Sequence, residues 1–309
     1  MDYKYTDLFY GYTPKKEYPW FSNSQFNPSL LLENYTKWMS YIDDSTNITN
    51  LVIPGTHNSC SSKFIKTNLK FIKERIVNQV WSIREQLLAG IRYFDLRPGQ
   101  NYYIYHSYFP TIYTLNDTLK EMSNFLKEYP SEFLFVRFQF VNKTCQSINY
   151  FLCFDKFLHS VLSEYYDIFY QENEFPELKS IRGKIYPFIE NSDFANFTNW
   201  NSFKEGFFYL QDIYKYKLMH YLFRPFLFKS KRDSIKLYLY DIDRKKEKLV
   251  LNHNSMTNRN LKCTPQFVAF ITNEISFKSE YIRGVVIFDF PSEELIKHII
   301  DKNNLNWDL

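Results

Sequence analysis

The run Ile53-Pro-Gly-Thr-His57-Asn58-Ser59 closes an apolar stretch with a turn set by Pro54 and Gly55 and leaves a histidine just beyond it. A second stretch, Ile91-Arg-Tyr-Phe-Asp95-Leu-Arg97, puts Asp95 and Arg97 two residues apart, hence on one face at a strand's end. A third, Tyr103–His106, ends in another histidine. Two histidines and an arginine on neighbouring strand ends are what phosphodiester cleavage needs: a base for the attacking hydroxyl, an acid for the leaving oxygen and a cation on the phosphoryl oxygens. Each also has a plain structural reading, as a satisfied core histidine or as an inward Asp–Arg pair that only neutralises itself.

Positioning such groups requires a scaffold with many strand ends at one rim. Apolar β-type runs recur at Leu51–Ile53, Ile91–Leu96, Tyr103–His106, Phe133–Phe140, Lys184–Ile189, Phe207–Leu210, Lys248–Asn252 and Val285–Phe290. Most are continuously apolar, as expected of strands buried on both faces. Helical spacing lies between them at Phe64–Leu88, Leu115–Glu128, Ile148–Tyr165, Pro265–Ile275 and Glu293–Asp301. Asn191–Lys204 reads as a loop, and 216–246 as a helix or an insertion. Eight strands alternating with helices predict an α/β fold closed as a barrel, whose active sites lie at the C-terminal mouth. The expected organisation is an irregular lead-in over 1–35 and a single barrel domain over 36–309. His253, just after a candidate strand, is read as structural, with a place at the mouth as its alternative.

The 309 residues, 45% hydrophobic and 23% charged, suffice for one large core and exclude a disordered chain. Aromatics make up 20% of the chain and glycine only 7 residues, which we read as coding bias, so single aromatics carry little weight. A net charge of +4 without long like-charged runs gives no nucleic-acid footprint, and the basic stretch Phe228–Asp233 reads as a solvated loop. Cys60, Cys145, Cys153 and Cys263 are scattered without metal-ligand or redox spacing, which fits free thiols in a reduced compartment. The first residues include an acid and no apolar core, and no run approaches a membrane span. A monomer is expected, in the cytoplasm or peripheral at a membrane face, with leaderless secretion open.

Four motifs carry a family likeness: Pro54-Gly-Thr-His-Asn-Ser59, Arg84-Glu-Gln-Leu-Leu-Ala-Gly-Ile-Arg-Tyr-Phe-Asp-Leu-Arg97, Tyr105-His106 and Tyr129-Pro-Ser-Glu-Phe-Leu-Phe-Val136. They resemble the X domain of phosphatidylinositol-specific phospholipases C, and Ile181–Ile185, Leu210–Lys215 and Val286–Phe290 continue the likeness. The resemblance implies a distorted (β/α)8 barrel that cleaves the glycerol-side phosphodiester of phosphatidylinositol or glycosylphosphatidylinositol, giving diacylglycerol and an inositol cyclic phosphate. It implies His57 as base, His106 as acid and Arg97 on the phosphoryl group. Asp95 would position Arg97, and Asp289 would hold His57 in its tautomer. Substrate contacts would come from Asn58, Gln139, Glu190, Asp212 and Tyr214. Arg97 stands where calcium-dependent animal relatives carry an acid, so neither metal nor cofactor is expected.

Three positions depart from the bacterial pattern. Asn58 replaces an aspartate, Gln139 stands where a cation often reaches the ring or phosphate, and Glu190 stands near the place of an inositol-binding arginine. The His-Asn pair resembles a parasite-type branch that cleaves glycosylphosphatidylinositol. The alternative to an enzyme is a catalytically weak X-domain module binding inositol lipids or glycans. A metal-dependent glycerophosphodiesterase is disfavoured by the Asp95–Arg97 pattern.

Overall fold

The computed structural model describes residues 17–28, 33–62, 65–67, 70–99, 102–139, 160–161, 163–189, 198–199, 208–212, 224–240, 248–256, 264–305 and 307. The strands are β1 (Val52–Thr56), β2 (Tyr93–Leu96), β3 (Tyr103–His106), β4 (Phe109–Thr114), β5 (Leu134–Phe138), β6 (Ile185–Ile189), β7 (Thr198–Asn199), β8 (Phe208–Gln211), β9 (Leu249–His253) and β10 (Gly284–Phe288). The longer helices are α1 (Lys70–Ile76), α2 (Ile83–Leu88), α3 (Leu115–Glu128), α4 (Arg224–Tyr240), α5 (Pro265–Phe277) and α6 (Glu293–Asp301). All strands except β3 and β4 form one parallel sheet in the order β7-β6-β5-β2-β1-β10-β9-β8. Helices lie between β1 and β2, between β4 and β5, between β8 and β9 and between β9 and β10, the barrel-like architecture expected of the strand-helix alternation, although among the described residues the end strands β7 and β8 do not pair to close it.

The period of two along each strand decides what fills the interior. Phe133, Phe135, Tyr186, Phe188 and Phe208 form a chain of ring contacts across β5, β6 and β8. Leu249, Leu251, Val285 and Ile287 belong to this same interior cluster, whereas Val286 and Phe288 point outward onto Leu295 and Ile299 of α6. Pro54 and Gly55 lie within β1 rather than forming the expected turn, and Gly55 is required by this packing, because a Cβ there would stand 2.8 Å from Cβ of Tyr93 on the neighbouring strand.

Local signals set the helices that brace the sheet. α3 buries Leu115, Leu119, Met122 and Leu126 on one stripe, and its first turn is closed by a reciprocal Thr114–Asp117 capping box. α2 starts with the same device at Ser82 and Glu85 and ends before Gly90, whose φ of +103° suits a helix-terminating glycine. Behind β2, Arg92 and Glu132 form a fully buried ion pair at 2.9 Å. Arg92 also donates to the carbonyls of Leu87 and Ile91, and Glu132 accepts from the Met39 amide.

Four expectations need correction. The helical spacing over Phe64–Leu88 is interrupted: α1 ends at Ile76 and α2 begins at Ile83, because residues between them turn inward to hold the mouth. Tyr103–His106 is no barrel strand; it pairs antiparallel with β4 in a separate hairpin. Thr198–Asn199, inside the expected loop, forms a short edge strand on β6. The basic stretch Phe228–Asp233 is no solvated loop: it lies within α4, and its Lys231 is fully buried. Over residues 17–28 the lead-in packs onto the domain, with Phe21 fully buried and Trp20 Nε1 donating to the Phe270 carbonyl at 2.9 Å. Cys60 is a buried free thiol; Cys145, Cys153 and Cys263 lie outside the described residues.

Candidate active site

Beyond the aromatic layer, five inward rows end in polar residues at the C-terminal rim. Ile53 and Gly55 lead to His57, Tyr93 to Asp95 and Arg97, Phe135 to Arg137, Leu251 to His253, and Ile287 to Asp289. His57 Nδ1 lies 2.9 Å from Asp289 Oδ1, and its Nε2 lies 3.0 Å from an Arg97 nitrogen. A guanidinium only donates, so Nε2 holds the lone pair and Nδ1–H donates to the carboxylate. The His57 main chain is pinned from below, since Gln79 Nε2 donates to the carbonyls of His57 and Phe288 at 2.8 and 3.0 Å.

Arg97 is held by the fully buried Asp95, whose Oδ2 accepts from Arg97 at 2.9 and 3.3 Å and from the Asn58 amide at 3.1 Å. Burial opposes the Asp95 charge, but Arg97, Arg137 and His57 outweigh it and hold the carboxyl well below its usual range. Arg137 is opposite Asp95 in the β2–β5 register and is itself 4% exposed. The arginine pair thus surrounds one carboxylate and leaves the mouth electropositive on the β2–β5 side.

His106 enters from the tip of the β3–β4 hairpin, where Ser107 takes a φ of +56°. Its Nδ1 faces the Ile76 carbonyl, an acceptor left open where α1 ends, and lies 3.1 Å from Ser61 Oγ. Nδ1 therefore carries a proton, and Nε2 faces the Asn58 side-chain amide at 3.4 Å. Burial of the ring and the nearby Arg97 charge push His106 down to about 3. The residue as a whole is nevertheless only partly buried.

Searched against protein-family models, the chain matches none. It is 32% identical over 290 residues to the 1-phosphatidylinositol phosphodiesterase of Listeria monocytogenes, covering 87% of this chain and 86% of that protein. The chain belongs to the phosphatidylinositol-specific phospholipase C family. The solved Listeria phosphatidylinositol-specific phospholipase C superposes with a TM-score of 0.74 at 30% identity, covering 87% of this chain and 98% of that one. Human PI-PLC X domain-containing protein 2 is 33% identical over a shorter region, 37% of this chain and 42% of that protein.

Within this phospholipase C fold, His57, Arg97, Asp95, Asp289 and His106 are brought together by the contacts above. Asn58 is 3% exposed and spends its side-chain amide on Asn78 Oδ1 and His106 Nε2, which makes it a neighbour of His106 rather than an open contact at the mouth. Gln139 follows β5, is partly exposed, and donates its main-chain N–H to the Leu96 carbonyl. Asp212 ends the β8 row; burial opposes its charge, yet His253, Arg137, His57 and Lys231 together keep its carboxyl below the usual value. Glu190 and Tyr214 lie outside the described residues. Sequence reasoning passed over Arg137, although its place in the inward row Phe133-Phe135-Arg137 was a readable signal. It also passed over the supports Ser61, Ile76, Asn78 and Gln79, which the apparent continuity of the helical spacing concealed. His253 is corrected from a structural residue to one at the mouth.

Proposed function

We propose that this chain cleaves the glycerol-side phosphodiester of phosphatidylinositol or glycosylphosphatidylinositol, giving diacylglycerol and an inositol cyclic phosphate. The observation that supports this best is the His57 tautomer, with Nδ1–H on Asp289 and a basic Nε2 aimed at Arg97. The head-group hydroxyl beside the phosphate gives its proton to Nε2 as its oxygen attacks phosphorus, and Asp289 stabilises the resulting imidazolium. Arg97 shifts from Nε2 to the phosphoryl oxygens, where its donors meet the charge of the crowded phosphorus. His106 acts from its imidazolium form: Nε2–H gives its proton to the glycerol oxygen as the P–O bond breaks, and the ring returns to the neutral state with its proton on Nδ1. Attack within one molecule makes positioning a large part of the acceleration, with effective molarities on the order of 10⁵–10⁸ M for well-oriented pairs.

Among the described residues no helix is long and apolar enough to cross a membrane, so access to lipid is peripheral in this reading. Tyr102, Tyr108 and Ile112 are 55%, 64% and 48% exposed on and beside the hairpin that carries His106, which suits a lipid interface. One observation favours the second reading, a catalytically weak lipid- or glycan-binding module: His106 is kept neutral beside an amide instead of a carboxylate.

Mass-spectrometric product analysis with phosphatidylinositol and a glycosylated analogue separates the two. Diacylglycerol and a cyclic phosphate are expected, with turnover lowered at least ~10³-fold in His57→Ala. Saturable binding without diacylglycerol release selects the binding module.

A further inference from the structure

β9 carries Leu249, Leu251 and His253 on its inward face, and the two leucines lie in the interior core. The imidazole therefore stands in the rim layer, its ring 6.2 Å from that of His57 and nearly perpendicular to it. The residue is 1% exposed, and neither Nδ1 nor Nε2 has a hydrogen-bond partner among the described residues. Its outward neighbours on the same strand ends are satisfied: Gln211 donates to Asn252 Oδ1 and the His253 carbonyl, and accepts from the buried Lys231. A neutral imidazole keeps one donor and one acceptor, and burying both without partners costs stability that an apolar ring of like size would not. An unpaired group held in that state beside the reacting histidine is arranged for something that arrives later.

The strand order says what arrives. Reading across the sheet, β2 brings Arg97, β1 brings His57, β10 brings Asp289, β9 brings His253 and β8 leads to Asp212. His57 thus separates a cationic flank, suited to the phosphoryl group, from a flank made of His253 and Asp212. We propose that His253 is a specificity-determining residue that receives a hydroxyl of the substrate's polyol ring at one of its ring nitrogens, beside Asp212, the ring contact already expected from the family likeness. This deepens the phospholipase C reading and rests on it. Burial pushes His253 down to about 3, so the ring is neutral and brings no positive charge to an anion. A hydroxyl, itself donor and acceptor, can pair with either ring nitrogen, whether that nitrogen carries the proton or the lone pair.

The test compares wild type, His253→Phe and His253→Asn on phosphatidylinositol and on water-soluble head-group substrates lacking one ring hydroxyl each, together with calorimetric binding of myo-inositol. Replacement by Phe should lower kcat/KM on the full head group and weaken inositol binding about 10- to 100-fold, the range expected when one buried polar pairing is lost. One deoxy substrate should cost wild type a similar factor and cost His253→Phe nothing further. His253→Asn, which keeps a donor and an acceptor, should stay within about fivefold of wild type on the full head group. The melting temperature of His253→Phe should be unchanged or higher. The inference is overturned if wild type cleaves phosphatidylinositol and His253→Phe matches it, or if the loss in His253→Phe is the same on every deoxy substrate. If wild type neither cleaves phosphatidylinositol nor binds inositol, the functional reading itself has failed.

Discussion

Replacing Asn58 with aspartate should convert a weak acid site into a strong one. The Asn58 amide sits 3.4 Å from His106 Nε2, and His106 is held down to about 3 by burial and by Arg97. A histidine with that value holds its proton in only about one free enzyme in 10⁴ at pH 7. A carboxylate at the same distance attracts the imidazolium by ~5 kcal/mol at an effective dielectric of about 20, worth roughly three to four pKa units. The new carboxylate would occupy a residue only 3% exposed, and its own desolvation takes back about half of that gain. The net expectation is His106 near 5 and a protonated fraction at pH 7 raised by about 100-fold. Turnover of a soluble phosphatidylinositol analogue followed across pH should show the alkaline limb of kcat/KM moved up by about two units, with kcat/KM at pH 7 raised ~10- to 100-fold. The ring C–H signal of His106 in the NMR spectrum should titrate with the same shift. Asn58→Ala, which removes the amide without adding charge, should leave the limb in place. An unmoved alkaline limb in a folded Asn58→Asp protein would refute the assignment of His106 as the acid.

Arg97 already fills the space between Asp95 and His57, so activity should survive exhaustive chelation and gain nothing from calcium; loss on chelation with recovery on calcium would show that another mouth group holds an ion. Removing the tautomer lock by Asp289→Asn should lower kcat by at least ~10²-fold with KM little changed, which steady-state kinetics checks. His253, folded near 3 against 6.5 in a free chain, leaves the unfolded state binding more protons between those values; stability present above pH 6.5 is lost as pH falls toward 3. Denaturant titrations of His253→Phe should therefore show a pH dependence shallower by up to about 1.4 kcal/mol per pH unit within that window. Tyr108→Ser should weaken vesicle binding by severalfold at every salt concentration, whereas a steep salt dependence in wild type would assign attachment to basic residues such as Arg232.

The chemistry was most legible where residue type and strand parity coincide. His57 and the Asp95–Arg97 pair sit at the ends of continuous apolar runs, and a two-residue spacing has only one geometric meaning in a strand. Asp289 needed the family likeness, because a lone aspartate after an apolar run has no distinguishing neighbour. The helix break after Ile76 was hidden, since apolar spacing continues across Val77 and Trp81 while Asn78 and Gln79 are diverted to Ser61. Nothing in Tyr103–His106 separates a hairpin strand from a barrel strand: both are short apolar runs, and only tertiary pairing with Phe109–Thr114 decides. Arg137 and His253 were obscured by the opposite problem, in that each is a single polar residue within or after an apolar run. Their meaning depends on which face the register turns inward.

Arg92 and Arg97 bracket β2 five residues apart, an odd spacing that sends them to opposite sides of the sheet. A strand has two faces, so its placement is a single binary choice, and a slip by one residue would exchange every occupant. In the wrong state Arg92, Phe94 and Leu96 would point at the substrate while Asp95 and Arg97 faced the helices. The buried Arg92–Glu132 pair makes that state expensive, because an arginine parted from its buried carboxylate costs about 3–5 kcal/mol. It works as a parity check: remote from the phosphate and without a part in proton transfer, it rejects the misread strand before any chemistry begins.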